Sequence, residues 1–258
     1  MPRTLWNGSL SFGLVNVPVS LTSAARDLDL HFRQLHKKDN APIEQRRYCS
    51  KEDKEVDWEE VARGYELDNG KQVVLTDLEL AMVQPRKTRT IDIEAFVDLD
   101  DVDPIYFDHP WFLLPFGDSE GTLRAYRLLV KVMEATDRAA LGRFVMRTKE
   151  YLVLVRARDG LLALTTLLFA DEVRPTKGIA PGGRKPTKQK VDPAVKVIDA
   201  LATDWDPERY TDCYRQRLER IVRDKKKGKT IEMPEEREQP EPAPDLMEAL
   251  EKTLAGMR

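Results

Sequence analysis

A chain of 258 residues, 41% apolar and 34% charged, is long enough for one large or two modest domains and apolar enough for a core. Its net charge of −3 and pI near 5.8 argue mildly against nucleic acid as a partner, but lysines can gather on one surface and carboxylates on another. No stretch reaches the ~18 uninterrupted apolar residues of a membrane helix, no signal-peptide pattern opens the chain, and Cys49 and Cys213 read as free thiols of a cytosolic protein.

WNGSLSFGLVNVPVSL, Trp6–Leu21, has no charge in sixteen positions. Asn16, Pro18 and several Ser and Gly rule it out as a membrane anchor. Ser9–Ser20 reads as a strand, with Gly8 and Gly13 as sites for a bulge or a close backbone approach. Leu28–Leu35 alternates and also reads as strand. Asp57–Tyr65 is a short helix candidate with Trp58, Val61 and Ala62 on one face. Asp68–Asn69–Gly70 signals a turn before the strand Gln72–Leu75. Thr76-x-x-Glu79 is a capping box that opens a short helix ending before Pro85. Thr88–Val97 alternates, with Ile91, Ile93, Ala95 and Val97 on one face. Trp111–Leu114 is another short strand.

Thr122–Glu134 is the clearest helix of the first part, with Leu123, Tyr126, Leu129, Val130 and Met133 at helical spacing. Strands follow at Phe144–Thr148 and Tyr151–Ala157. Asp159-Gly160 between LVLV and LLAL predicts a two-residue hairpin returning through Leu161–Phe169. Strands of this length with only short helices point to a closed or nearly closed sheet.

After Val173 the texture changes. Arg174–Lys190 holds three prolines, three glycines and six basic residues, which reads as a linker. Pro193–Ala202 is expected to be a helix. A second helix is expected from Asp206-Pro207 to about Lys225, with Tyr210, Tyr214, Leu218, Ile221 and Val222 on one stripe. Lys225–Lys229 is basic, and Pro234–Pro242 is acidic and proline-rich, a composition of disorder. Asp245–Met257 places Leu246, Leu250 and Leu254 at i, i+4, i+8, a short amphipathic helix. The expected boundaries are a core over 1–175, a linker over 176–192, a helical segment over 193–232 and a flexible tail with a terminal helix over 233–258.

Catalytic patterns are scarce. His31, His36 and Cys49 lack the fourth, closely spaced ligand that structural zinc prefers, so no metal is expected. Asp98–Asp103, DLDDVD, could hold divalent ions as nucleases do, but it reads better as a loop with capping aspartates. Gly13 and Gly182-Gly183 form no phosphate loop, and there is no Gly-x-Ser-x-Gly. The residues do not suggest an enzyme. Three basic sets could touch phosphates: Lys37, Lys38, Arg46 and Arg47 around a turn; Arg86, Lys87 and Arg89 in a loop; Arg138, Arg143, Arg147 and Lys149 around a strand.

Arg3–Ala24, RTLWNGSLSFGLVNVPVSLTSA, resembles the N-terminus of bacterial Ku, the DNA-end-binding family of non-homologous end joining. Ala62–Leu80, Arg89–Pro115, Tyr126–Arg174 and Asp204–Glu232 resemble further blocks of that family in order, and DLMEALEKTL also matches. The resemblance implies a β-dominated mixed fold. It consists of a Ku-type β-barrel core with a dimerisation arm, forming a ring, followed by a small α-helical C-terminal part. It implies a homodimer around a duplex threaded from its end, bound through the sugar-phosphate backbone. It further implies recruitment of an ATP-dependent DNA ligase of the LigD type, a cytoplasmic, nucleoid-associated location, and neither cofactor nor catalysis. On that reading Trp6–Leu21 is a first barrel strand covered on both faces in the dimer. Arg86, Lys87 and Arg89 form the bridge over DNA, and Lys37, Lys38, Arg46 and Arg47 come next, with Arg143 and Arg147 after them. Leu246, Leu250 and Leu254 would face the ligase. Relatives with Cys-x-x-Cys-Gly near Tyr48–Val56 differ from this chain, which keeps Cys49 alone, and its tail is acidic where some relatives are lysine-rich. A metal-dependent nuclease using Asp98, Asp100, Asp101 and Asp103, and a protein-interaction module without DNA threading, are the competing readings.

Overall fold

The computed structural model describes residues 3–85, 88–183 and 185–229. They divide into two units, residues 3–28 with 32–175, and residues 29–31 with 176–229.

The first unit is built on a closed seven-stranded barrel in the order β1-β2-β8-β11-β10-β9-β7. β1 (Thr4–Phe12) and β2 (Val15–Ser23) form a hairpin. The uncharged opening stretch is therefore two strands, where its sequence reads as one. Gly13 turns the chain with φ +56, and Leu14 at the tip is fully exposed. Glycine at the first central position is the signature of a type II′ hairpin turn. β7 (Thr90–Asp98) closes the barrel by running parallel to β1, and every other neighbouring pair is antiparallel.

The closure depends on two glycines that flank β7. Ser9 N–H donates to the Arg89 carbonyl at 3.0 Å. A Cβ on Gly8 would lie 2.2 Å from that carbonyl oxygen, and one on Gly142 of β9 would lie 2.4 Å from the Asp92 carbonyl oxygen. Only hydrogen fits at either place.

The core is mostly apolar, with Ser20, Thr22 and Thr166 as its buried polar residues. Leu10, Val17, Val19, Leu21, Ile91, Leu113, Phe144, Val153, Val155, Leu162 and Leu164 are all buried. β8 (Phe107–Pro115), β9 (Arg138–Met146), β10 (Lys149–Arg158) and β11 (Leu161–Leu167) supply most of the wall. A second cluster of Ala139, Leu154 and Leu167 lies with Val97, Leu99 and Val102. Both faces of β10 are thus covered, which is why its LVLV run carries no polar alternation. Asp159 and Gly160 have φ +50 and +76, as the expected two-residue hairpin requires.

The longest helix, α2 (Glu120–Thr136), starts on a Ser119 cap, with Thr122 N–H donating to Ser119 Oγ at 3.2 Å. Its Tyr126, Leu129, Val130 and Met133 join the barrel core. It ends at Asp137 in the left-handed conformation, and β9 follows at once.

Three further expectations need correction. Leu28–Leu35 forms no strand beyond one isolated bridge from Leu35 to Pro42; its alternation found no neighbouring strand to pair with. Asp57–Tyr65 is a three-residue 3₁₀ turn at Trp58–Glu60 leading into a strand. In the second unit, the helix expected from Asp206 to Lys225 is interrupted. Pro207–Arg209 is one 3₁₀ turn, and a new helix over Cys213–Lys226 starts where Asp212 caps the Arg215 N–H at 2.9 Å. A helix over Lys188–Leu201 precedes it, starting earlier than Pro193 and containing that proline.

Candidate nucleic-acid interface

Between β2 and β7 the chain leaves the barrel for sixty-six residues, 24–89. None of the described residues in this excursion is buried. It contains two small ribbons, β3 (Tyr48–Cys49) with β4 (Lys54–Glu55) and β5 (Arg63–Glu66) with β6 (Gln72–Leu75), followed by α1 (Asp77–Met82). α1 carries the expected capping box. Glu79 N–H donates to Thr76 Oγ1 at 3.2 Å, and Thr76 N–H donates to Glu79 Oε2 at 2.8 Å. The Thr76 N–H first, and the Thr76 hydroxyl second, hold the Glu79 carboxyl below its ordinary range.

The sequence-expected basic residues fall on this excursion and on the barrel wall. Lys37 and Lys38 stand exposed in a tight turn. His36 N–H donates to the Ala41 carbonyl at 2.8 Å, and His36 Nδ1 meets Asp39 Oδ1 at 2.8 Å. The Ala41 N–H first, and His36 second, keep the Asp39 carboxyl ionised below its ordinary range. With Asp39 turned onto its own turn, neither lysine has a carboxylate within ion-pair distance among the described residues. His36 and Asp39 serve the turn, and no group of three metal-ligating side chains is gathered among the described residues.

Arg46 and Arg47 immediately precede β3 and are held differently. Arg46 bonds Glu55 at 3.0 Å and lies 3.6 Å from Glu44. Arg47 stacks its guanidinium 4.3 Å over the Trp58 ring. Arg89 is where the excursion rejoins the barrel. It has φ +53 and borders a cleft of about 360 Å³ with Thr4, Leu5, Trp6 and Asn7. Arg86 and Lys87 lie outside the described residues.

On the barrel, Arg143 is bracketed by two carboxylates, Glu94 at 3.1 Å and Glu150 at 3.5 Å. Arg147 sits at the β9–β10 turn with φ +60, exposed and without a carboxylate partner among the described residues. Lys37, Lys38, Arg89 and Arg147 are exposed without a carboxylate partner among the described residues, whereas Arg46 and Arg143 are each held by two carboxylates. Arg63 and Lys71, at opposite ends of the β5–β6 hairpin, are likewise exposed basic residues, and the sequence sets do not include them.

Two of the four aspartates in the Asp98–Asp103 cluster are occupied locally. Asp98 pairs with Arg138, and Asp103 Oδ1 accepts the Ile105 N–H at 2.9 Å to cap the 3₁₀ turn Pro104–Tyr106. Leu99–Asp101 forms the turn between them. Leu246, Leu250 and Leu254 lie outside the described residues. No helix among the described residues is long and apolar enough to cross a membrane.

Comparison with known proteins agrees with this architecture. A family model described as the Ku70/Ku80 beta-barrel domain matches residues 11–194. Non-homologous end joining protein Ku 1 of Geotalea uraniireducens is 39% identical over 98% of this chain and 97% of its own length. Non-homologous end joining protein Ku 1 of Saccharopolyspora erythraea is 37% identical over 100% of this chain and 80% of its own. Non-homologous end joining protein Ku of Bacillus subtilis is 35% identical over 99% and 83%. With its seven-stranded barrel and full-length relatives, the chain belongs to the Ku family.

Proposed function

We propose that this chain binds the ends of double-stranded DNA without sequence preference, as a ring-forming homodimer in the bacterial cytoplasm, and recruits a LigD-type DNA ligase in non-homologous end joining. The observation that carries the reading is the 24–89 excursion, whose described residues are all at least partly exposed. Two-stranded ribbons without a core are marginal in water. Val73, Val74, Tyr65, Leu78 and Met82 are exposed there and need cover. A second copy offering the same surface gives that cover reciprocally, through a two-fold interface, and two long excursions that embrace enclose a space.

Lys37, Lys38, Arg47, Arg89 and Arg147 are the phosphate-facing set in this account, joined by Arg86 and Lys87 from the bridging loop and by Arg46 and Arg143 after carboxylate exchange. Contacts of this kind give affinity and salt dependence without reading bases. The Leu246, Leu250 and Leu254 face is the ligase-docking element. The reading involves no covalent chemistry in this chain.

The test is a gel-shift series at physiological salt with linear duplex, the same duplex closed at both ends by bulky hairpins, and covalently closed circles. Binding to open ends only supports the reading. Equal affinity for all three makes the protein an ordinary electrostatic DNA binder.

A further inference from the structure

The last described helix, α4 in chain order after α3 (Lys188–Leu201), spans Cys213–Lys226 and carries six basic and two acidic side chains. It buries none of its residues. At helical spacing Tyr214, Leu218, Ile221 and Val222 share one face. Tyr214 is 73% exposed, Val222 44% and Ile221 37%. Arg217 borders this stripe on one side and Arg215 and Lys226 on the other. An amphipathic helix normally turns its apolar stripe to a core. Here Tyr214, Ile221 and Val222 face water and Leu218 is half-buried, with positive charge on both borders.

The complementary chemistry lies in the same chain, outside the described residues. Residues 230–258 hold eight acidic and three basic side chains. Leu246, Leu250 and Leu254 recur at i, i+4, i+8, with Met247 and Met257 on the same side of a helical projection. Asp245–Met257 as a helix is ~20 Å long, and α4 is ~21 Å. The fifteen residues between Lys229 and Asp245 span at most ~50 Å when extended. That is more than twice the length of α4, so the leucines can reach the stripe in either direction. Tethering makes the encounter intramolecular, at an effective concentration of order millimolar for a short linker.

We propose that the apolar stripe of α4 is the docking surface for the chain's own Asp245–Met257 segment. Leu246, Leu250 and Leu254 lie against Tyr214, Leu218, Ile221 and Val222. The acidic residues from Glu232 to Glu251 neutralise the basic border. Docking hides both a basic helix and the leucine face, so ligase capture through those leucines becomes a displacement. The docking itself does not depend on DNA binding; that ligase capture becomes a displacement rests on the ligase reading above.

The full chain allows a direct test, because Cys213 is exposed at the start of α4. With Cys49→Ser and Ala249→Cys, spin labels at positions 213 and 249 report the distance by double electron–electron resonance in an excess of unlabelled chain. Docked helices at the usual 8–10 Å axial separation give a narrow distribution at ~10–25 Å between labels. The triple change Leu246→Ser, Leu250→Ser, Leu254→Ser should broaden and lengthen it. Leu218→Ser, with helicity checked by circular dichroism, should do the same from the other side. A broad distribution in the otherwise unaltered chain overturns the proposal, as does indifference to the leucine changes. A short distance that arises only between singly labelled chains assigns the stripe to a second copy and equally overturns it.

Discussion

Replacing Tyr126 by Phe tests how α2 is fastened to the barrel. The Tyr126 side chain is buried, and its hydroxyl bridges two strands. It donates to the Leu113 carbonyl of β8 at 2.6 Å and accepts the Leu162 N–H of β11 at 2.9 Å. Leu113 and Leu162 face each other in the register of that strand pair. Phenylalanine keeps the ring and deletes the oxygen, leaving one buried acceptor and one buried donor unmatched. Each such group costs about 1–3 kcal/mol, or about 2–4 kcal/mol together once the strands relax toward each other. At about 2–4 °C per kcal/mol for a unit of this size, Tm should fall by about 4–16 °C.

The same hydroxyl sets a pH signature. Burial raises the Tyr126 pKa above its ordinary value, and the Leu162 N–H opposes this only in part. The folded state therefore favours the neutral phenol. That contribution is fully present below the unfolded tyrosine pKa of ~10 and is lost as pH rises through the folded value. The difference between wild type and Tyr126→Phe should shrink above pH ~10. Thermal melts followed by circular dichroism at pH 7, 9 and 10.5 measure both effects. A Tm within 2 °C of wild type, or a difference that does not change with pH, refutes the bridging argument.

Gly8→Ala and Gly142→Ala should each cost about 1–3 kcal/mol or more, since the new methyl meets a backbone carbonyl that cannot swing away. Gly121→Ala, in α2 with open space around its Cβ position, should be neutral or stabilising in the same melts. For DNA, the triple change Lys37→Ala, Lys38→Ala, Arg147→Ala should lower the slope of log K against log salt by about 0.9 per lost contact. Arg143→Ala should lower it less, because Glu94 and Glu150 already hold that guanidinium; equal effects would mean the carboxylates let go freely. Asp100→Asn with Asp101→Asn should leave DNA binding unchanged, and incubation with Mg²⁺ or Mn²⁺ should produce no cutting; metal-dependent cleavage lost in that variant would revive the nuclease reading.

Much of the barrel was legible because its signals are local. Asp159-Gly160 between two apolar runs, the Thr76–Glu79 capping box and the 3.6-residue spacing in α2 each name one structure. Gly13-Leu14 was not legible. Its turn needs one glycine and no Asn or Asp, so a sixteen-residue uncharged run looks like one strand. Leu28–Leu35 failed for the opposite reason: alternation describes a strand only when a neighbour pairs with it, and the excursion offers none. The Asp212 cap is hidden in the sequence because Tyr210 and Tyr214 continue the apolar spacing across the break. The candidate site was legible as a set of basic residues. Which of them are free was not, because Glu55, Glu94 and Glu150 reach Arg46 and Arg143 only through strand pairing.

In the proposed function, DNA passes through the protein. The most direct test loads the protein on a linear duplex, circularises the DNA by ligation, and then raises the salt to a level that strips the protein from linear DNA. The account predicts that complexes persist on the circles, release when a restriction enzyme reopens them, and never form on circles closed beforehand. Release from the circles at the same salt as from linear DNA would contradict it.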